Sequence, residues 1–148
     1  MIIALGSDHA GYDYKKQLKG DLEKMGYTVI DMGPDDALPV DYPVYADKVC
    51  KAIQKEEANI GILICGTGIG MSMAANKQKG IRAAVCDNIF SSILTREHNN
   101  ANILCIGARI IAYQMALEIT KSFLSTEFWG GKHQQRIEMF DIPKQRNE

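Results

Sequence analysis

Nothing in this chain approaches a membrane span. Its apolar runs are short, Ile60 to Ile64 being typical, whereas an α-helix crossing a bilayer needs roughly 20 residues of that kind. Met1-Ile2-Ile3-Ala4-Leu5-Gly6-Ser7-Asp8 reaches a carboxylate without a basic lead and does not read as a secretory signal. A cytoplasmic protein is expected. An excess charge of one sign is also lacking. With 17 basic and 18 acidic residues well mixed and a net charge of -1, the chain offers no general field for nucleic acid or an anionic membrane. A small neutral or anionic ligand held at a local site fits better.

Metal and nucleotide signatures are missing too. The four cysteines, Cys50, Cys65, Cys86 and Cys105, form no Cys-x-x-Cys pair and read as free thiols. The three histidines, His9, His98 and His133, lack the close paired spacing of metal ligands. No metal is expected. A P-loop needs Lys-Ser or Lys-Thr after its last glycine, but Gly70 is followed by Met71. No frame within Gly66 to Met71 fits the dinucleotide fingerprint either. There is no internal repeat, low-complexity segment or interdomain linker, and 148 residues suit one domain.

What is present is alternation. Apolar runs at Ile2 to Leu5, Tyr27 to Ile30, Ile60 to Ile64, Ile81 to Cys86 and Ile103 to Ile106 read as strands. Between and after them, helical spacing recurs at Leu18, Leu22 and Met25; at Ala46, Val49, Cys50 and Ile53; over Ile69 to Lys77; at Ile89, Ile93 and Leu94; and at Ala112, Met115, Ala116, Ile119 and Phe123. Five strands alternating with helices call for a parallel sheet covered on both faces: a doubly wound, Rossmann-like, three-layer α/β/α sandwich. Residues 1–148 form one domain in this reading, with a polar peripheral segment beginning near residue 127.

In such a sheet the ligand crevice lies outside the carboxyl ends of the strands. Asp8 and His9 follow strand one, Asp31 and Asp35 strand two, Cys65 to Gly70 strand three, Asp87 strand four and Arg109 strand five. The stretch Cys65-Gly66-Thr67-Gly68-Ile69-Gly70 is the most informative. Glycines at alternate positions ending a buried strand allow close approach of backbone to a ligand, and the amides of a following helix would point back toward Cys65. Such amides lower a thiol pKa from about 8.5 toward neutrality, giving a base or nucleophile. The alternatives are a purely structural turn and a buried core thiol, the fate expected for Cys86 and Cys105. Thr67 suits either a helix cap or a proton relay. His98 closes a helix, where a cation is favoured. Asp8 could set the tautomer of His9 if Gly6 to Gly11 turns. Lys132 and Arg136, four apart, are either solvated surface or, with His9 and Arg109, a cationic cup for phosphate.

These segments resemble the type B ribose-5-phosphate isomerases and the related galactose-6-phosphate isomerase subunits. The resemblance is carried by Gly6-Ser7-Asp8-His9-Ala10-Gly11, Asp41-Tyr42-Pro43, Gly61 to Gly70 with Ala74-Ala75-Asn76-Lys77, Gly80-Ile81-Arg82-Ala83, Arg96 to Asn102, and Gly130-Gly131-Lys132-His133. It implies interconversion of D-ribose 5-phosphate and D-ribulose 5-phosphate through an enediolate, in the non-oxidative pentose phosphate pathway, without metal or organic cofactor. By position, Cys65 resembles the base, Thr67 an aid to proton movement and His98 the residue that opens the sugar ring. Gly66, Gly68 and Gly70 would cradle the enediolate, with Asp8, Tyr42 and Asn99 on the sugar. His9, Arg109, Lys132 and Arg136 would hold the phosphate. The resemblance also implies a homodimer, or a tetramer, with His98, Asn99 and Arg109 supplied by the partner chain. Lys132 departs from the arginine more common in the family. Two alternatives remain open: a six-carbon aldose 6-phosphate such as allose or galactose 6-phosphate as substrate, and a non-catalytic sugar-phosphate binding domain.

Overall fold

The computed structural model describes residues 1–141. Five strands, β1 (Ile2–Ser7), β2 (Thr28–Asp31), β3 (Ile60–Cys65), β4 (Ala83–Val85) and β5 (Ile103–Gly107), form one parallel sheet in the order β2-β1-β3-β5-β4. Helices α1 (Tyr12–Lys24), α2 (Tyr42–Gln54), α3 (Ile69–Ala75), α4 (Ile89–Asn99) and α5 (Tyr113–Ser125) connect or follow the strands, and a sixth, α6 (Lys132–Glu138), comes last.

Side-chain alternation along β3 builds both cores. Ile60, Ile62 and Ile64 face one side with Leu18 and Leu22 of α1 and Ile119 and Phe123 of α5. Leu63 and Cys65 face the other with Val49 and Cys50 of α2 and Met71 and Ala75 of α3. Both faces are therefore apolar, which is why β3 reads as a continuous hydrophobic run rather than an alternating one. The expected three-layer α/β/α fold is the one found.

Most strand boundaries differ from the sequence reading by one or two residues, and three differences have a local cause. Strand four covers only Ala83–Val85 because the residues before it are held by other contacts: the Ile81 amide donates to Gln78 O at 3.3 Å and the Arg82 amide to Asn102 Oδ1 at 2.8 Å. The helix after the glycine turn ends at Ala75, two residues before Lys77. The segment read as a polar tail contains α6, anchored by Ile137 at 2% exposure. The last part of that segment, 142–148, lies outside the described residues.

The strand order places the topological switch point between β1 and β3, since the chain leaves β1 for β2 on one side and returns to β3 on the other. The crevice of a doubly wound sheet opens there. The Asp8 amide donates to Ile64 O at 3.1 Å, so the loop after β1 is tied to the end of β3. Gly11 makes that approach possible, because a Cβ there would overlap the Ile64 carbonyl.

Candidate active site

Cys65 is the last residue of β3 and is only 5% exposed. Its carbonyl accepts from the Ala108 amide at 2.8 Å, and the next carbonyl, Gly66 O, accepts from Arg109 N at 2.9 Å. The ends of β3 and β5 thereby stay paired past the sheet. The chain then turns through Gly68 at φ +77, a left-handed conformation that glycine adopts without strain. A Cβ on Gly68 would also stand 3.0 Å from the backbone carbon of Ile106. This turn points the Gly68 amide at Cys65 Sγ, 3.1 Å away.

Thr67 does not occupy the cap position itself, which falls on Gly68; its Oγ1 accepts from the Ile69 amide at 3.2 Å instead. Two amides of the expected cradle, Gly68 and Ile69, are thus engaged within the turn. Those of Gly66, Thr67 and Gly70 have no acceptor among the described residues. Tyr42, at the start of α2, covers Gly70 so closely that a Cβ there would be 2.7 Å from Tyr42 Cζ.

Asp8 is buried and its Oδ1 accepts from the Gly11 amide at 3.0 Å. His9 is exposed, and its Nδ1 accepts from the Val40 amide at 3.3 Å. Asp8 and His9 therefore face different partners, and the adjacency in sequence does not become a carboxylate–imidazole pair. With Nδ1 accepting, the neutral tautomer of His9 carries its proton on Nε2. Arg109 lies over Gly66, its Nη1 being 3.3 Å from where a Gly66 Cβ would stand. The paired ends of β3 and β5 set its guanidinium against Gly66 of its own chain.

The remaining residues stand elsewhere. α4 starts beyond the carboxyl end of β4 and runs back to Asn102, whose carbonyl accepts from Gly61 near the start of β3. Eleven residues of helix cover about 16 Å. His98 and Asn99 consequently sit toward the amino edge of the sheet, away from Cys65. α6 is there as well: His133 stacks on His98 with ring centroids 4.4 Å apart. Lys132 and Arg136 thus share that end, and the expected cup of His9, Arg109, Lys132 and Arg136 is not assembled within one chain. Within one chain the candidate residues fall into two groups: Asp8, His9, Tyr42, Cys65 to Gly70 and Arg109 at one edge, and His98, Asn99, Lys132 and Arg136 at the other.

The other thiols are unsuited to chemistry. Burial, then the nearby Asp47 carboxylate, pushes Cys50 up to about 12. Burial also raises Cys86, and raises Cys105 well above the ordinary thiol value. All three stay protonated at neutral pH. Among the described residues no group of three or more His, Cys, Asp or Glu is placed to hold a metal ion, and no helix is long and apolar enough to cross a membrane.

Sequence reasoning missed the residues that hold these parts in place. Lys15, at 1% exposure, donates from Nζ to Asp31 Oδ1 and Pro34 O, both at 2.7 Å. Its place in register with Leu18 and Leu22 was the available signal, for a lysine on an apolar helical stripe needs a buried partner. Arg82 Nε donates to the carbonyls of Asn99 and Asn100 at 3.1 and 3.0 Å, and Arg96 Nη1 to Ala101 O at 2.6 Å. Between them they satisfy carbonyls that the end of α4 leaves without partners. No local pattern announces the Arg82 contacts, which reach across 17 and 18 residues.

The fold and the site define a class: a Rossmann-like α/β protein with a thiol on a glycine turn at the switch point. Known proteins match the chain closely. The Ribose/Galactose Isomerase family matches residues 3–140. Ribose-5-phosphate isomerase B of Escherichia coli is 43% identical over 144 residues, covering 97% of each chain. The solved ribose-5-phosphate isomerase B of Clostridium thermocellum superposes with a TM-score of 0.93 at 47% identity, covering 94% of both chains. The enzyme of the same name from Mycoplasma genitalium, solved with bound ribulose-5-phosphate, gives a TM-score of 0.90 at 39% identity, covering 93% of this chain and 92% of that one. The chain belongs to the ribose/galactose isomerase family.

Proposed function

We propose that this protein is an aldose–ketose isomerase that interconverts D-ribose 5-phosphate and D-ribulose 5-phosphate in the cytoplasm, within the pentose phosphate pathway, with Cys65 as the base. The observation that carries the mechanism is the Gly68 amide directed at Cys65 Sγ at 3.1 Å, a contact that suits negative charge on sulfur. The family membership and the ribulose-5-phosphate bound to the Mycoplasma genitalium relative support the substrate.

The chemistry is a proton shuttle and requires no metal or organic cofactor. The Cys65 thiolate takes the C2 proton of the open aldose; the electron pair forms the C1–C2 double bond and the carbonyl electrons move to O1. The O2 hydroxyl proton passes to O1, and return of the proton from sulfur to C1, with O2 becoming the carbonyl, gives the ketose. The Gly66 and Thr67 amides, free within the turn, are the donors for the enediolate oxygens. Each fixed donor of that kind is worth about 3 to 4 kcal/mol in a water-excluded site. Thr67 assists proton movement, Gly68 and Gly70 shape the turn, and Asp8 and Tyr42 line the sugar.

The two half-sites call for a second copy. In a two-fold homodimer the patch of one chain that bears His98 and Asn99 meets the Cys65 edge of the other, twice. Lys132 and Arg136 then join His9 and Arg109 around the phosphate, so the segment from residue 127 onward contributes to the partner's site. His98 opens the furanose ring and Asn99 holds a substrate oxygen.

Mixing inactive Cys65→Ala and His98→Ala chains tests this arrangement. Each mixed dimer has one site with both functional residues, so an equimolar exchange should restore about a quarter of wild-type activity. Mixtures as inactive as the parents would refute the shared site. Wild-type assays on ribose 5-phosphate beside allose and galactose 6-phosphates test the substrate. A six-carbon preference would move the assignment, and binding without turnover would replace it with a sugar-phosphate binding domain.

A further inference from the structure

We propose that His133 is a positioning residue that holds the imidazole of His98 in its working orientation by face-to-face stacking. The inference rests on the ring-opening role proposed for His98 above.

His98 lies in the last turn of α4, where no further turn of helix crowds its side chain. Unrestrained, the ring would rotate between rotamers. Three rings instead enclose one another. His98 and His133 are parallel within 12° at 4.4 Å, Trp129 meets His98 at 5.1 Å and 66°, and Trp129 meets His133 at 5.9 Å and 54°. His133 thus closes one face of the imidazole, and the indole restrains it from a second direction.

The backbone is built to deliver this contact. The Trp129 amide donates to Glu97 O at 3.1 Å, docking the incoming segment on α4 one residue before His98. Gly130 and Gly131 follow at φ +69 and +56, a pair of positive-φ conformations that glycine adopts without strain. The His133 amide then donates to Gly130 O at 3.1 Å as α6 begins. Ile137 is buried beneath α6, and Arg82 Nη1 meets Asp141 Oδ2 at 3.1 Å just beyond it. The Gly130-Gly131-Lys132-His133 motif therefore does more than present a basic side chain.

The charge state of the stack suits the role. Desolvation, followed by His98, Lys132 and Arg136, lowers the His133 pKa. A neutral His133 adds no positive charge against the imidazole it stacks on. In ring opening the O1 proton leaves to an imidazole nitrogen, the C1–O4 bond breaks with its electron pair going to O4, O4 takes a proton and C1=O1 forms. A displacement of about 1 Å in a group performing such a transfer can cost about a hundredfold.

The test separates ring opening from the later steps. D-Ribulose 5-phosphate carries phosphate on O5 and cannot close a five-membered ring on C2. Exchange of its C1 hydrogen with D2O needs Cys65 and the glycine turn but not ring opening. Turnover of ribose 5-phosphate and this exchange are measured for wild type, His98→Ala, His133→Ala and His133→Phe. His133→Ala should lower kcat/KM for ribose 5-phosphate by more than about tenfold and change the exchange rate by less than about twofold. His133→Phe, which keeps a flat ring but cannot titrate, should recover most of the loss. If His133→Ala does not fold, Trp129→Ala should show the same split.

Three results would overturn the inference: wild-type turnover in His133→Ala, an equal fall in turnover and exchange, or His133→Phe as impaired as His133→Ala. Proportional loss of both readouts in His98→Ala would remove the ring-opening role and the inference with it. Absence of both activities in wild type would instead overturn the proposed function.

Discussion

The Gly68 amide donates to Cys65 Sγ across 3.1 Å, and the two residues are three apart on a turn only glycine can make without strain. That relation makes the thiol part of the backbone's electrostatics rather than a passive core group. Replacing Cys65 by Ala should reduce kcat by about a hundredfold to ten-thousandfold, the usual contribution of a positioned base. Binding of ribulose 5-phosphate, followed by calorimetry, should change little. Normal turnover in this variant would assign the proton transfer to another group.

Gly68→Ala should damage stability and activity together. The added Cβ meets the Ile106 backbone at 3.0 Å while φ stands at +77. Such a strained residue costs about 1 to 3 kcal/mol, and relaxation of the turn would carry the amide away from sulfur. Urea melts and turnover should both fall. A variant with intact activity would show that the amide is not needed.

Lys15→Met should cost about 2 to 4 kcal/mol, somewhat less than the roughly 3 to 5 kcal/mol for breaking a fully buried pair on one side. The Lys15 ammonium is buried, whereas the Asp31 carboxylate is 32% exposed and can recover some hydration. The double variant Lys15→Met/Asp31→Asn should therefore lose less than the sum of the single changes. Strict additivity in urea unfolding would argue against the pair.

Alkaline stability should decline through the Cys50 thiol. Its pKa is held at about 12 in the fold by burial and Asp47, against 9.0 ordinarily. The unfolded chain ionises first, so the stabilisation is fully present below pH 9 and is lost as pH rises toward about 12. Cys50→Ala should flatten the slope of unfolding free energy against pH in that window. An unchanged slope would exclude Cys50 as a contributor.

Ser7→Ala should stabilise the protein. Ser7 Oγ is buried at the end of β1 and has no hydrogen-bond partner among the described residues. An unmatched buried hydroxyl costs about 1 to 3 kcal/mol. Removing it should raise the urea midpoint without changing the slope of the transition, and a lower midpoint would show that the hydroxyl is used.

The alternation of strands and helices was legible because it depends on neighbours a few residues apart. Ile60, Ile62 and Ile64 declare a buried strand, Leu18 and Leu22 a helical face, and Gly66, Gly68 and Gly70 a turn beside a thiol. Local sterics and local burial are enough for those features. The shared fold with the isomerase family follows from many such segments in one order.

Tertiary structure alone decided which polar groups meet. Strand order brings the loop of Asp8 against the end of β3, while the return direction of α4 carries His98 to the opposite edge. Lys15 finds Asp31, and His133 finds His98, across chain separations that no periodicity spans. Local conformation follows from adjacent backbone and side chains, but these meetings follow from packing both faces of one sheet at once. Cys65 on its glycine turn was therefore visible in the sequence, and the family resemblance already set His98 apart from it. The physical reason, the return direction of α4 to the opposite edge of the sheet, was visible only in the fold.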